Sequence, residues 1–306
     1  MRSLGHGAGV LEPFTTAQAR DAGLTPAGLR GPAVRREHHG AYVEAFIEPD
    51  LAVSIAAARL VLPADALLDG VSALQALGLD LGSPRPLRFV SAHPHQVRRP
   101  GIRVRRVRAR PSAGPHPGSL GPVPALLAAA QELDLVELVA AGDWLVRWDL
   151  TTQAALVAAA AQHHGRGAVL ARRASALVRD HVDSVRETRL RLCLVLAGLP
   201  EPEVNPIVSL DGRRIGRVDL LLRRWRVVIE YEGDQHRTDR RQWNTDISRH
   251  EQLAVTGATL VRVTGERMRH PRAVVALVVS ALRAGGWAGP DPVFDEEWHR
   301  LFPSAR

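Results

Sequence analysis

One cysteine, Cys193, stands in the whole chain, so no disulfide can form within it. The compartment expected from such cysteine usage is the cytoplasm. No stretch approaches the ~18 uninterrupted apolar residues that a membrane span needs. The longest apolar run, "AVVALVVSAL" from Ala273, has the length of a buried helix. The opening "MRSLGHGAGVLEPF" lacks an apolar core, so no secretory signal is expected. Lysine is missing altogether, and all forty basic residues are arginine. Every cationic side-chain contact outside histidine therefore falls to a guanidinium, which suits bidentate contacts with phosphate and guanine. Acid is missing from one long stretch. No aspartate or glutamate occurs from Leu81 to Gln131, while nine arginines fall between Arg85 and Arg110. Such a stretch makes either a solvated basic strand or a surface for a polyanion, and composition leaves both open.

What is present is globular. The 306 residues are 45% apolar and carry a net charge of +8, enough for two or three domains with sizeable cores and too apolar for a disordered chain. Residues 1–50 contain a small helical unit and a short β wing. "TTAQARDAG" starts with a threonine N-cap and stops at Gly23, and "LTPAGLRGPAVRR" restarts with Thr25 as cap and Pro26 in the first turn. "HHGAYVEAFI" reads as a turn and a strand. Two helices around a glycine turn make the helix-turn-helix layout, which places Arg30, Arg35 and Arg36 at or just after the second helix.

Residues 51–180 form a mixed α/β region. "DLAVSIAAARLVL" and "ALLDGVSALQALGL" read as helices, and "PLRFVSA" and "GIRVRRVRA" as strands. In the second strand Ile102 and Val104 point one way, Arg103 and Arg105 the other. "RPSAGPHPGSLGPVP" is a linker, and alanine-rich helices run from Ala125 to about Asp180. His163 and His164 are neighbours that cannot share a helix face, and both read as surface residues.

Residues 181–306 change character. A helix from Ser184 to Ala197 closes at Gly198. "EVNPIVSL", "RRIGRVDLLL" and "RVVIEYE" follow as strands, with a two-residue turn at Asp211-Gly212. A helix over "QWNTDISRHEQLAVTG", a strand "TLVRV" and a helix from Pro271 complete the order α-β-β-β-α-β-α. Three carboxylates interrupt the apolar strands. If "RRWR" at 223–226 closes a hairpin, paired residues sum to 449, and Asp219 lies opposite Glu230 with Cβ atoms roughly 5 Å apart. Glu232 shares that face. Like charges so arranged repel, and either an arginine network (Arg213, Arg214, Arg217 or Arg249) or a divalent cation answers the repulsion. Spacing leaves the two open. Glu187 extends the Leu190–Leu194–Ala197 helix face by one turn toward the sheet, while Ser184-x-x-Glu187 is also a capping box.

A helix with glutamate, then V-D-L, then hydrophobics ending in E-x-E resembles the PD-(D/E)XK nuclease superfamily. More closely, "ETRLRLCLVLAGLPEPEVN", "GRVDLLL", "VVIEYEGDQHR" and "DISRHEQLAVTG" resemble the domain family compared with very-short-patch-repair endonucleases. The opening "FTTAQARDAGLTPAGLRGPAVRREHHGAYV" resembles the N-terminal winged-helix domain of AbiEi-type antitoxins. The resemblance implies a multidomain α/β (α+β) chain: a winged helix, a mixed α/β middle region and a C-terminal restriction-endonuclease-like αβββαβ core. It implies Mg²⁺ or Mn²⁺ held by Asp219, Glu230, the Tyr231 carbonyl and Glu187. Glu187, Asp219, Glu230, Glu232 and His236 are the implied catalytic set. Glu232 departs from the family, standing where many members carry lysine. The expected activity is metal-dependent hydrolysis of DNA. The alternatives are a DNA-binding regulator of antitoxin type with an inactive nuclease fold, and a structural protein whose acids are neutralised by arginine. DNA contacts are expected from Arg30, Arg35, Arg36, Arg103, Arg105 and Arg249.

Overall fold

A computed structural model describes residues 12–210, 213–232 and 257–305. The architecture is α+β, with mixed and antiparallel sheets. The chain divides into two compact units, one of residues 1–132 with 164–168, the other of 133–163 with 169–306. Among the described residues no helix is long and apolar enough to cross a membrane.

The first unit opens with β1 (Phe14–Thr15) and α1 (Thr16–Asp21). Thr15 caps α1 reciprocally with Gln18, and Gly23 ends the segment at φ +82°. The second helix expected after Thr25 is only a 3₁₀ turn, Gly28–Arg30. Its N-cap position is Ala27 rather than Thr25, whose hydroxyl instead accepts the Gly28 N–H at 3.1 Å. Gly28 weakens a helix, and the Gly31-Pro32 pair ends it, because the residue before proline avoids the α conformation. Strands β2 (Val34–His38) and β3 (Ala41–Glu44) follow, and the sheet order is β1-β3-β2. Helix α2 (Leu51–Arg59) packs on β2 and β3. There His38 Nε2 donates to the Ser54 carbonyl at 3.0 Å, and the Ser54 hydroxyl donates to Glu37.

The second sheet has the order β4-β5-β7-β6. It comprises β4 (Leu67–Leu68), β5 (Leu87–Ser91), β6 (Arg98–Arg99) and β7 (Ile102–Arg106). Leu67 and Leu68, expected in a helix, are strand residues instead. Asp69 breaks the segment and caps α3 (Gly70–Ala76), which packs against α4 (Pro122–Ala129). Leu87, Phe89, Val90, Ser91, Ile102 and Val104 are the buried positions of the central strands.

The second unit begins with α5 (Leu135–Arg147), α6 (Gln153–Gln162) and α7 (Ala168–Leu177). His164 is exposed as expected, whereas His163 is half-buried, with its Nε2 withdrawn from solvent. Helix α8 (Val185–Val195) packs on α5 and stops where Gly198 turns to φ +88°. Each of the two strands read after it divides in two: β8 (Glu203–Val204) and β9 (Ile207–Leu210), then β10 (Arg213–Arg217) and β11 (Leu220–Leu222). Leu220 pairs with Val204 and Arg217 with Ile207, so one antiparallel register crosses from piece to piece, before it shifts by one residue between Arg214 and Gly216. The hairpin bends at Asn205-Pro206 and Val218-Asp219. Pro206 has no N–H for the ladder, and Asn205 takes the left-handed conformation at φ +48°. Leu210 and Arg213 are paired across Asp211-Gly212, a turn that lies outside the described residues.

Strands β12 (Val227–Glu232) and β13 (Thr259–Thr264) complete the sheet β13-β12-β11-β8, with β12 and β13 parallel. The helix expected over 242–257 lies almost wholly outside the described residues. The run from Ala273 is part of α9 (Pro271–Ala284), which buries Val274, Val275, Val278 and Leu282. A short α10 (Glu296–Leu301) buries Trp298, whose indole N–H reaches the Cys193 carbonyl at 3.0 Å.

Candidate functional site

The hairpin at 223–226 holds the register of its sequence. Leu220 pairs with Ile229, Leu221 with Val228 and Leu222 with Val227. Asp219 is the next residue out from Leu220, at the bend where the paired register ends. On the other side Glu230 pairs with Arg262. The hairpin bend matters here. At Val218-Asp219 the chain leaves the sheet, and the Asp219 carboxylate fills in for the departing strand by accepting the Tyr231 N–H at 2.7 Å. Asp219 thereby finishes the hydrogen-bonding edge of β12, a structural task beside any chemical one.

Alternation sorts the carboxylates by face. Val218, Leu221 and Val228 form a core cluster with Val208, Ile215, Ala258 and Leu260, which no residue of α8 or α9 joins. Glu230 and Glu232 alternate in step with Val228 and so turn to that face. Tyr231 turns to the other, where Arg186 of α8 lies 5.9 Å from its ring centre. Glu230 is buried; Glu232 is exposed at the strand end and paired with Arg262 at 3.2 Å.

Glu187 belongs to the helix on the Tyr231 face. Its carboxylate accepts three hydrogen bonds: from the Asp183 N–H (3.1 Å), the Ser184 hydroxyl (2.9 Å) and the Asn205 amide (2.7 Å). Ser184 caps the helix by accepting the Glu187 N–H at 3.2 Å. The cap therefore forms, but Glu187 reaches Asp183 and the Ser184 side chain rather than the Ser184 N–H. Asn205 stands outside the implied catalytic set. Its N–H holds the Asp219 carbonyl at 2.8 Å, while its side-chain amide also donates to the His181 carbonyl at 2.7 Å. It thus joins the start of α8 to the bend that carries Asp219. The signal for it was the Asn-Pro pair, which marks a turn. Arg262 carries no such signal, because an arginine alternating with valines reads as a solvated strand position.

Among the described residues, no three His, Cys, Asp or Glu side chains form a group that could hold a metal ion. The donor set at the bend is nevertheless all oxygen. Mg²⁺ is commonly held by one or two carboxylates and completed by water and substrate phosphate, so Asp219, Glu230 and the Tyr231 carbonyl fit it in kind. His236 and Arg249 lie outside the described residues.

The arginines expected at DNA divide sharply. Arg30, Arg36 and Arg103 are exposed. Arg35 is occupied within its own unit, donating to the Ile47 carbonyl at 2.7 Å and pairing with Glu37 at 3.4 Å. Arg105 grips both oxygens of Asp69, at 2.8 and 3.1 Å, although it was expected in solvent beside Arg103. Asp69 lies far outside the acid-free stretch, which is why the composition of that stretch concealed the pairing.

A second cluster lies deep between α5 and α8. Arg191 is fully buried, donating to Asp143 (3.2 Å), the Leu177 carbonyl (2.9 Å) and Glu201 (2.9 Å). Asp143 also accepts the Arg179 N–H at 2.7 Å and the Thr188 hydroxyl at 2.8 Å. Burial pushes the Asp143 carboxyl up to about 6, against the downward pull of Arg191. Burial likewise raises the Cys193 thiol to about 12, so this cysteine is inert packing rather than a nucleophile.

Compared with known protein families, curated proteins and solved structures, the chain matches none. The resemblance to nucleases therefore rests on motifs and on element order.

Proposed function

We infer that the C-terminal part of the chain is a metal-dependent DNA endonuclease domain, with Asp219 and Glu230 as its metal-binding carboxylates. The observation that carries this reading is the hydrogen bond from the Tyr231 N–H to the Asp219 carboxylate, which brings that acid to the backbone between Glu230 and Glu232 where the hairpin bends away. The helix–three strands–strand order around them supports it. Mg²⁺, when bound, supplies an activated water and offsets charge on the scissile phosphate. Asp219 and Glu230 would hold it together with the Tyr231 carbonyl. Glu232 and His236 are the candidates to take the proton of the attacking water. Glu187, already engaged by three donors, fixes the helix start and, through Asn205, the bend that carries Asp219.

A second reading, a DNA-binding regulator that does not cut, is favoured by the engagement of Glu187 and by the Glu232–Arg262 pair. Supercoiled plasmid with Mg²⁺ or Mn²⁺ separates the two. The nuclease reading expects nicking that disappears in Asp219→Asn, a variant that keeps an acceptor for the Tyr231 N–H. Intact plasmid with the wild-type protein, in both metals, leaves the regulator.

A further inference from the structure

The basic stretch builds a row of like charges. Arg98 of β6 pairs directly with Arg103 of β7, and Arg103 pairs with Arg88 of β5. Directly paired residues project from one face, so three guanidiniums cross three strands side by side. Arg88 has a counter-charge in Glu132. Burial, and after it the charge of Arg103, holds Arg88 below the usual guanidinium range. Arg98 and Arg103 are exposed, and neither makes an ion pair or side-chain hydrogen bond among the described residues. Like charges placed opposite each other weaken a sheet unless something outside them compensates.

The remaining arginines sharpen the contrast. Arg85 pairs with Glu37 at 2.6 Å and Arg105 with Asp69 at 2.8 Å, so both are neutralised within the unit. Arg98 and Arg103 instead line an open groove of about 390 Å³ along the outer strand, with Gln96, Arg99 and Pro100. Arg99 is anchored by donating to the His39 carbonyl at 2.9 Å, which fixes one wall. The groove combines an open lining, two guanidiniums with no counter-charge among the described residues and no acid in its own segment.

We propose that the groove along β6 and β7 binds the phosphodiester backbone of DNA through Arg98 and Arg103. It rests on the reading of the chain as a DNA-acting protein and supplies the holding surface which that reading lacks. Each guanidinium neutralises one phosphate. Contact with the backbone rather than with base edges makes the grip independent of sequence.

The test is duplex binding by the full-length protein in EDTA, followed against salt for wild type, Arg98→Ala/Arg103→Ala and Arg85→Ala. Removing two phosphate contacts is expected to shallow the plot of log K against log salt by about 1.8, at about 0.9 per contact. Arg85→Ala is expected to keep the wild-type slope. The double variant should melt no lower than wild type, since it relieves repulsion and buries nothing new. An unchanged slope in the double variant overturns the groove while leaving DNA binding in place. An equal loss in Arg85→Ala, or capture of anionic phosphatidylserine vesicles without duplex binding, also overturns it. Because EDTA prevents cleavage, failure to nick plasmid leaves this result standing.

Discussion

Replacing Arg191 by methionine tests the buried pair between α5 and α8. In the wild type, burial raises the Asp143 carboxyl from its ordinary 3.8 to about 6. The folded state then holds the proton more tightly than the unfolded state. This group's contribution is therefore most favourable below pH 3.8 and declines as pH rises to about 6. The decline corresponds to about 3 kcal/mol at 1.36 kcal/mol per tenfold change in proton affinity. Arg191 is the largest influence opposing that rise. Without it the carboxyl titrates higher still, and the decline continues above pH 6. Arg191→Met is accordingly expected to cost less at pH 5, where Asp143 is neutral and the loss is about the 1–3 kcal/mol of a Leu177 carbonyl left without its donor. At pH 8 the cost should approach the 3–5 kcal/mol of a stranded buried charge, roughly the scale for breaking such a pair. Asp143→Leu should be costly at both pH values, because it strands Arg191. The double variant Asp143→Leu/Arg191→Met should recover most of the loss, since apolar groups of similar volume replace the pair. Cys193 supplies the assay. It is the only cysteine, it is fully buried, and it lies two residues from Arg191. Thiol labelling across a urea series reports the unfolding of this unit alone. Equal costs for Arg191→Met at pH 5 and pH 8, or additive losses in the double variant, would refute the reasoning.

Glu187→Ala, which leaves three donors without their acceptor, is expected to lower stability by about 1–3 kcal/mol. Glu187→Gln should unfold near the wild-type midpoint and keep whatever plasmid-nicking activity the wild type has. Asn205→Gly should be about 1 kcal/mol more stable than Asn205→Ala in the same urea series, because glycine tolerates the left-handed backbone. At Gly285 a Cβ would stand 2.5 Å from the Trp225 carbonyl oxygen. Gly285→Ala should therefore lower the melting temperature although the residue's φ of −80° is ordinary.

The register of the carboxylate hairpin was legible because apolar alternation and turn length admit few pairings. The stops at Gly23 and Gly198 were legible for the same local reason. The hairpin bend was written in Asn205-Pro206, but a run as apolar as "EVNPIVSL" reads as one strand until its partner is seen to break at the same level. Glu187 was located on the right helix face. The sequence did not say that this helix covers the face of β12 turned away from Glu230. Arg191 was hidden more thoroughly, since an arginine between leucines in "RLRLCL" reads as solvated. Its partners Asp143 and Glu201 come from separate segments. The same distance concealed the pairing of Arg105 with Asp69. Local chemistry announces itself at short range, whereas charge compensation across the fold does not.

β6 is the outermost strand of its sheet and only two residues long. A sheet border invites another extended chain to add itself, and a short, charged border discourages this. Arg98 on that border, with Arg103 beside it on β7, therefore guards against self-association as well as inviting a polyanion. Neutralising them should ease the repulsion inside one molecule and expose many molecules to one another, so that a variant better folded in dilute solution precipitates sooner when concentrated.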